Sequence, residues 1–229
     1  MLFGKNITES VSKSRIYSDG DVRLIKEDSS CHEAFWNLDT ISAAYKAAES
    51  YPGKRVAILN FASYKNPGGG FMTGAMAQEE AICHESTLFP VLSSLPSFYE
   101  ENRKDTNSSM YRDRAIYSPG IVLTRKKPYI AVDVLTCASP NRSASFMLNM
   151  QAENRKILFQ RSRFIAAIMK EQQVNIPILG AWGCGVFGQD PGEVHEALHT
   201  AFQEAGFKEI VYAVPGRDQN AEVFRKKVQ

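Results

Sequence analysis

Apolar and polar positions alternate along the chain in two rhythms. Short β-branched runs bounded by turn residues predict strands at Asp21–Ile25, Arg55–Ala62, Gly120–Leu123, Tyr129–Thr136, Ile176–Ala181 and Glu209–Val214. Within them Val56–Leu59 and Ile176–Leu179 are almost continuously apolar. That is the mark of strands buried on both faces by helices. Helical spacing predicts Ala34–Tyr51, Ala75–Leu88, Phe146–Gln172, Glu193–Ala205 and a short segment near Asn220–Lys227. The long one carries Leu148, Ile157, Leu158, Ile165 and Ile168 in one stripe. The helix after residue 190 is punctuated most clearly, with Asp190 at the N-cap, Pro191 first, Glu193 third and Gly206 beyond its end. Strands alternating with helices predict an α/β protein, a three-layer α/β/α sandwich.

The 229 residues suit one large domain, read here as a single unit over 1–229. Apolar residues form 44% of it, enough for a substantial core, and the formal charge of +2 does not announce a nucleic-acid binder. The first ten residues lack a signal peptide's apolar run, and no apolar stretch approaches a membrane span, so an intracellular, non-exported protein with no membrane contact is expected. Asn6-Ile7-Thr8 then reads as a chance match to a glycosylation acceptor. Cys31, Cys83, Cys137 and Cys184 are scattered, without a CxxC pair, and are expected as free thiols. Cys31-His32 and Cys83-His84-Glu85 match no common zinc spacing, so no metal is expected. Arg125-Lys126-Lys127 reads as a solvated turn or a patch that steers anions, and Trp182 as packing.

Two glycine loops carry the candidate chemistry. The first, Asn60 to Gly70, follows a buried strand and ends in Asn66-Pro67-Gly68-Gly69-Gly70. Three glycines let backbone approach a ligand closely, or simply make a turn before the helix that carries Gln78-Glu79-Glu80. Glu79 and Glu80 either complement the helix dipole or serve a site. Neighbours on a helix point about 100° apart, so the two are not the facing pair of a two-carboxylate glycosidase. The second loop, Gly180 to Gly188, has four glycines in nine residues between a strand and a helix. That arrangement cradles diphosphates with backbone N–H groups, or makes a tight structural connection. Gly183-x-Gly185-x-x-Gly188 also matches the dinucleotide fingerprint, but the fold has no room after it for a full dinucleotide domain and the ribose acid is missing at its expected distance.

In order and spacing these residues resemble the bacterial-type poly(ADP-ribose) glycohydrolases, a branch of the macrodomain superfamily. The signature is Gly68-Gly69-Gly70, seven residues, then Gln78-Glu79-Glu80. Around it lie Leu59-Asn60-Phe61-Ala62-Ser63, Ile116-Tyr117-Ser118-Pro119, Thr136 to Asn141, and the stretch from Leu179 to Pro191 that holds Trp182-Gly183-Cys184-Gly185-Val186-Phe187. The resemblance implies a macrodomain with a central mixed, mostly parallel sheet and a pocket for ADP-ribose. It implies Glu80 as the catalytic acid and base, with Glu79 holding the ribose beside the scissile bond. Asn66, Gly68, Gly69 and Gly70 would shape the catalytic loop, with Gln78 also in the substrate set. Gly183, Gly185, Val186 and Phe187 would meet the diphosphate and distal ribose. Poly(ADP-ribose) or an ADP-ribosylated protein would be the substrate and ADP-ribose the product, with no cofactor and a monomeric enzyme. A reader that only binds ADP-ribose, and a hydrolase of single ADP-ribose units on proteins, are the alternatives. The lead before Ile16 is shorter than the family's, and Asp19-Gly20 resembles a hairpin turn.

Overall fold

The computed structural model describes residues 3–27 and 30–228. In chain order it contains α1 (Gly4–Lys13), β1 (Arg15–Ser18), β2 (His32–Trp36), α2 (Thr40–Ser50), β3 (Val56–Phe61), α3 (Gln78–His84), α4 (Leu88–Ser93), α5 (Pro96–Lys104), β4 (Arg114–Leu123), β5 (Ile130–Cys137), α6 (Arg142–Met147), α7 (Gln151–Glu171), β6 (Ile176–Leu179), α8 (Pro191–Glu204), β7 (Glu209–Ala213) and α9 (Gln219–Val228). The seven strands form one sheet in the order β1-β4-β5-β3-β6-β7-β2. β1–β4 and β4–β5 pair antiparallel, and β5–β3, β3–β6, β6–β7 and β7–β2 pair parallel.

Strand periodicity sorts the core into two layers. Ala57, Leu59, Leu135 and Cys137 face α7, α8 and α9. Val56, Ile58, Val132 and Val134 face α2, α3, α4 and α5, with Ile7 and Val11 of α1 packed against the same layer. β3 sits mid-sheet with helices on both sides, which is why its sequence is apolar without alternation.

Several boundaries differ from the sequence expectation. Asp21–Ile25 is not a strand: Val22 and Leu24 pack on the core, but Arg15–Ser18 makes the antiparallel edge beside β4. Asp19-Gly20 does turn, with Gly20 at φ +87, yet the segment directly after it, 21–26, is not a strand and β1 pairs with the distant β4 instead, so it is no hairpin. The expected helix at 34–51 divides. His32–Trp36 adds a parallel edge strand to β7, and Asp39 caps α2 by accepting from the N–H groups of Ile41 and Ser42. The Gly120–Leu123 strand begins at Arg114, because a bulge between Ser118 and Ile121 places Gly120 at φ +71 within one longer strand. The helix expected at 146–172 breaks at Asn149, φ +54, which leaves Leu148 half-exposed outside the stripe while Ile157, Leu158, Ile165 and Ile168 stay buried. The helix expected at 75–88 is only α3, and its start is fixed by a carboxylate described below.

Candidate active site

β5, β3 and β6 are neighbours, and the loops that leave their carboxyl ends meet over that end of the sheet. Crevices beyond the carboxyl ends of parallel strands are where α/β folds place ligands. Here the crevice is a cavity of about 880 Å³ lined by residues of both glycine loops and by Ser139.

The first loop is built around the two glutamates. Gly68 and Gly69 take φ +67 and +60, and the Gly69 N–H donates to the Asn66 carbonyl at 3.1 Å. A Cβ on Gly69 would stand 2.5 Å from Glu80 Oε1 and 3.0 Å from Glu79 Oε2. The loop therefore requires glycine for its backbone angle and for the closeness of the carboxylates. Glu80 is held at both oxygens, Oε1 accepting from the Gly70 N–H at 2.8 Å and Oε2 from the Ala77 N–H at 3.1 Å. The second bond caps the start of α3. Glu79 lies deeper. Its Oε2 accepts from the Ser63 N–H at 2.7 Å and its Oε1 from Asn60 Nδ2 at 3.2 Å, while Asn60 also donates to Thr136 Oγ1. Burial pushes the Glu79 carboxyl up to about 8, with the neighbouring Glu80 charge adding to the rise and the Ser63 and Asn60 donors opposing it.

Gln78 borders the cavity, but its amide is engaged by the fold. Its Oε1 accepts from the Phe61 N–H at 2.8 Å, and its Nε2 donates to the Leu59 carbonyl and to Thr40 Oγ1. It ties α3 to the end of β3 and to α2. Asn66, Gly69, Gly70, Glu79 and Glu80 line the cavity, whereas Gly68 is buried behind it, where a Cβ would come 2.8 Å from the Phe89 ring.

The second loop is fastened at both ends. Gly180 presses on the Ala213 carbonyl, and Trp182 is fully buried with Nε1 donating to the Cys137 carbonyl at 3.0 Å. Gly183 at φ +79 abuts the Ser139 hydroxyl, and its carbonyl accepts from the Gln189 N–H. Gly188 at φ +64 lies against Ser143, whose N–H donates to the Phe187 carbonyl at 3.0 Å. Asp190 then caps α8, accepting from the N–H groups of Gly192 and Glu193. Between these fixed ends, and among the described residues, the N–H groups of Gly185, Val186 and Phe187 donate to no protein acceptor. Successive free amides in a glycine turn form a nest for an anion. Gly183, Gly185, Val186 and Phe187 all line the cavity.

Sequence reasoning missed Ser139, Phe61 and Phe89 in the lining. Arg125-Lys126-Lys127 is the exposed bend between β4 and β5 that the sequence suggested, and Arg125 within it pairs with both Asp39 and Glu85. His84 is exposed on α3, its ring 4.5 Å from Phe71. Among the described residues no cluster of His, Cys, Asp and Glu could hold a metal ion. Burial pushes the Cys184 thiol in the second loop up to about 12, which makes it a poor nucleophile. No described helix is long and apolar enough to cross a membrane.

The family model for the microbial-type PARG catalytic domain matches residues 1–126, more than half of the chain and all of the first loop with its glutamates. The chain belongs to the microbial-type poly(ADP-ribose) glycohydrolases. The second loop lies beyond the matched residues, but likeness to solved glycohydrolases extends over it. The poly(ADP-ribose) glycohydrolase of Thermomonospora curvata bound to the inhibitor ADP-HPD is 30% identical, with 98% of this chain and 88% of that one covered at a TM-score of 0.88. The enzyme of Deinococcus radiodurans in complex with ADP-ribose is 28% identical, with 97% of each chain covered at a TM-score of 0.84. Among curated proteins none matches this sequence. Like these glycohydrolases, the chain has a mixed, mostly parallel sheet between two helical layers.

Proposed function

We propose that residues 1–229 form one catalytic domain that hydrolyses the O-glycosidic ribose–ribose bond of poly(ADP-ribose) and releases ADP-ribose. The observation that carries this reading is the shared cavity. It sets the Glu80 carboxyl and the free amides of Gly185, Val186 and Phe187 around one space. The amides take the diphosphate, which places the ribose at its far end beside the glutamates. A smaller chamber of about 280 Å³ adjoins, sharing Phe61, Ala77, Gln78 and Ala181 with the main cavity. Its apolar walls, Ile41, Met76, Val214 and Pro215 among them, suit a flat aromatic base, and we assign it to adenine.

Cleavage develops positive charge at the anomeric carbon and negative charge on the departing oxygen. Glu80 donates a proton to that oxygen and, as carboxylate, accepts one from the attacking water. Its two backbone donors restrain it against rotation, so little reorganisation precedes the transfer. Glu79, raised to about 8, carries a proton at neutral pH and can donate a hydrogen bond to a ribose hydroxyl. The substrate's own diphosphate lies close enough to favour the oxocarbenium-like state. Gln78 holds α3 against β3 and borders both the cavity and the adjoining chamber. We read the enzyme as a monomer, since one chain supplies both loops.

The test is Glu80→Gln. Removing a general acid–base group costs about 10²–10⁴ in rate, so release of ADP-ribose from automodified polymer should fall by that factor. Calorimetric affinity for ADP-ribose should stay within a few-fold of wild type. Turnover near the wild-type rate would remove Glu80 from the mechanism, and intact binding without any wild-type turnover would favour a reader.

A further inference from the structure

Behind the cavity wall, the segment between α5 and β4 adopts a conformation that L residues avoid. Asn107, Ser108, Ser109 and Tyr111 have φ of 44, 53, 65 and 62. Residues in the left-handed region persist where the surroundings over-determine them. The surroundings here are Arg161 of α7, 1% exposed. Its Nε donates to Asp113 Oδ1 at 2.9 Å, one terminal nitrogen to the carbonyls of Met110 and Ala138, and the other to the Tyr111 carbonyl at 2.9 Å. A planar guanidinium with its donors so fully matched fixes what it touches. Ala138 adjoins Ser139, which stands in the cavity wall.

This turn presents the Tyr111 ring to two others. Tyr64 stacks on it at 4.3 Å and 16°, and Phe187 meets it at 5.8 Å and 51°. Tyr64 follows Ser63, whose N–H grips Glu79, and donates its own hydroxyl to the Asp105 carbonyl. Phe187 lines the cavity from the second loop. Tyr64, Tyr111, Ala138 and Phe187 form a cluster separate from the two main core layers, so neither layer fixes the Phe187 ring.

The geometry points to Tyr111 as a positioning residue that sets the spacing between the two glycine loops, with Tyr64 on one side and Phe187 on the other. It does not line the cavity. Its effect on the ligand passes through Phe187, and the inference rests on the reading that the cavity takes ADP-ribose. A ligand that must reach the amides at one end and the glutamates at the other is sensitive to that spacing, as misplacement of a rigid site by a fraction of an ångström is costly.

A double-mutant cycle with Tyr111→Leu and Phe187→Leu, read as the calorimetric Kd for ADP-ribose, tests this. Tyr111→Leu should weaken binding about tenfold alone and less than about twofold when Phe187 is already leucine, the non-additivity of groups acting through each other. Tyr111→Phe should restore binding to within about twofold of wild type, because the ring and not the hydroxyl bridges the loops. Additive losses, or a Tyr111→Phe loss equal to that of leucine, would overturn the inference. If Tyr111→Leu does not fold, hydrogen exchange on the wild type decides. ADP-ribose should slow exchange at residues 109–112 as well as in both loops, and protection confined to the cavity lining overturns the bridge. Failure of the wild type itself to bind ADP-ribose would sink the functional reading first, and this inference with it.

Discussion

In the loop after β3, a Cβ on Gly69 would come 2.5 Å from Glu80 Oε1; in the loop after β6, a Cβ on Gly185 would meet nothing within 4 Å. Gly69 is left-handed and packed against the Glu79 and Glu80 oxygens, whereas Gly185 is exposed and free of the left-handed region. The contrast separates two uses of glycine. In the first loop the absent side chain makes room for the protein's own carboxylates, so the residue is required before any ligand arrives. In the second loop Gly183 and Gly188 meet packing demands from Ser139 and Ser143, and Gly185 alone is left bare toward the cavity. Nothing in the fold packs against that bare backbone; on the proposed reading a phosphate does.

Gly69→Ala is the strongest way to break the contrast. It forces a Cβ into Glu80 and a side chain into φ +60. Displacement of a catalytic group on this scale costs about 100-fold in rate, and the strained backbone costs at least about 1 kcal/mol of stability. Steady-state release of ADP-ribose and a denaturant titration measure the two, and an active, stable Gly69→Ala protein would contradict the packing argument.

Glu79 supplies the next effect. Its pKa is about 8 in the fold against 4.5 for an ordinary glutamate, so the folded state binds the proton more tightly. The resulting stabilisation is complete below about pH 4.5 and is lost as pH rises through about 8. Glu79→Gln removes the titration, so wild-type stability relative to this variant should decline by a few kcal/mol between about pH 5 and pH 8. Denaturant midpoints across that range read it out, and parallel curves would show that burial does not hold the proton there.

Gly185→Ala sharpens the comparison from the other side. Melting should stay within a degree or so of wild type, since the added Cβ has room. ADP-ribose affinity should drop about tenfold, because the methyl group would stand where, on the proposed reading, the diphosphate approaches the amides. The smallest effect is expected at Asp190→Ala, which removes the α8 cap for about 1 kcal/mol and should leave turnover nearly unchanged. A large loss of binding in that variant would mean that the loop depends on the helix start more than its own bonds suggest.

How far the sequence could be read follows from where each constraint originates. β3, β6 and β7 were legible because helices cover both faces and their apolar runs need no partner to be recognised. β1 and β2 are edge strands of four and five residues, and their identity depends on pairing with β4 and β7, which local pattern does not carry. The glycine triplet, the paired glutamates and the second loop were legible because their chemistry resides in residue type and spacing. Gln78 was legible as a signature residue but not in its task, since its three bonds reach Phe61, Leu59 and Thr40. Ser139 and Arg161 were silent for the same reason. A serine after a strand and an arginine on a long helix acquire meaning only when tertiary packing sets one against Gly183 and the other under Tyr111.

The division of the cavity between two loops has a consequence for inhibitor chemistry. On the proposed reading, a small phosphorylated nucleoside would engage one wall and a cyclic sugar mimic the other, each weakly. Joined by a tether of matching length, the second contact becomes intramolecular, and affinity can rise by about 10²–10⁴ without any new interaction. Because the loops are anchored to a common sheet, the optimum tether should be sharp, and one bond too many or too few should forfeit most of the gain.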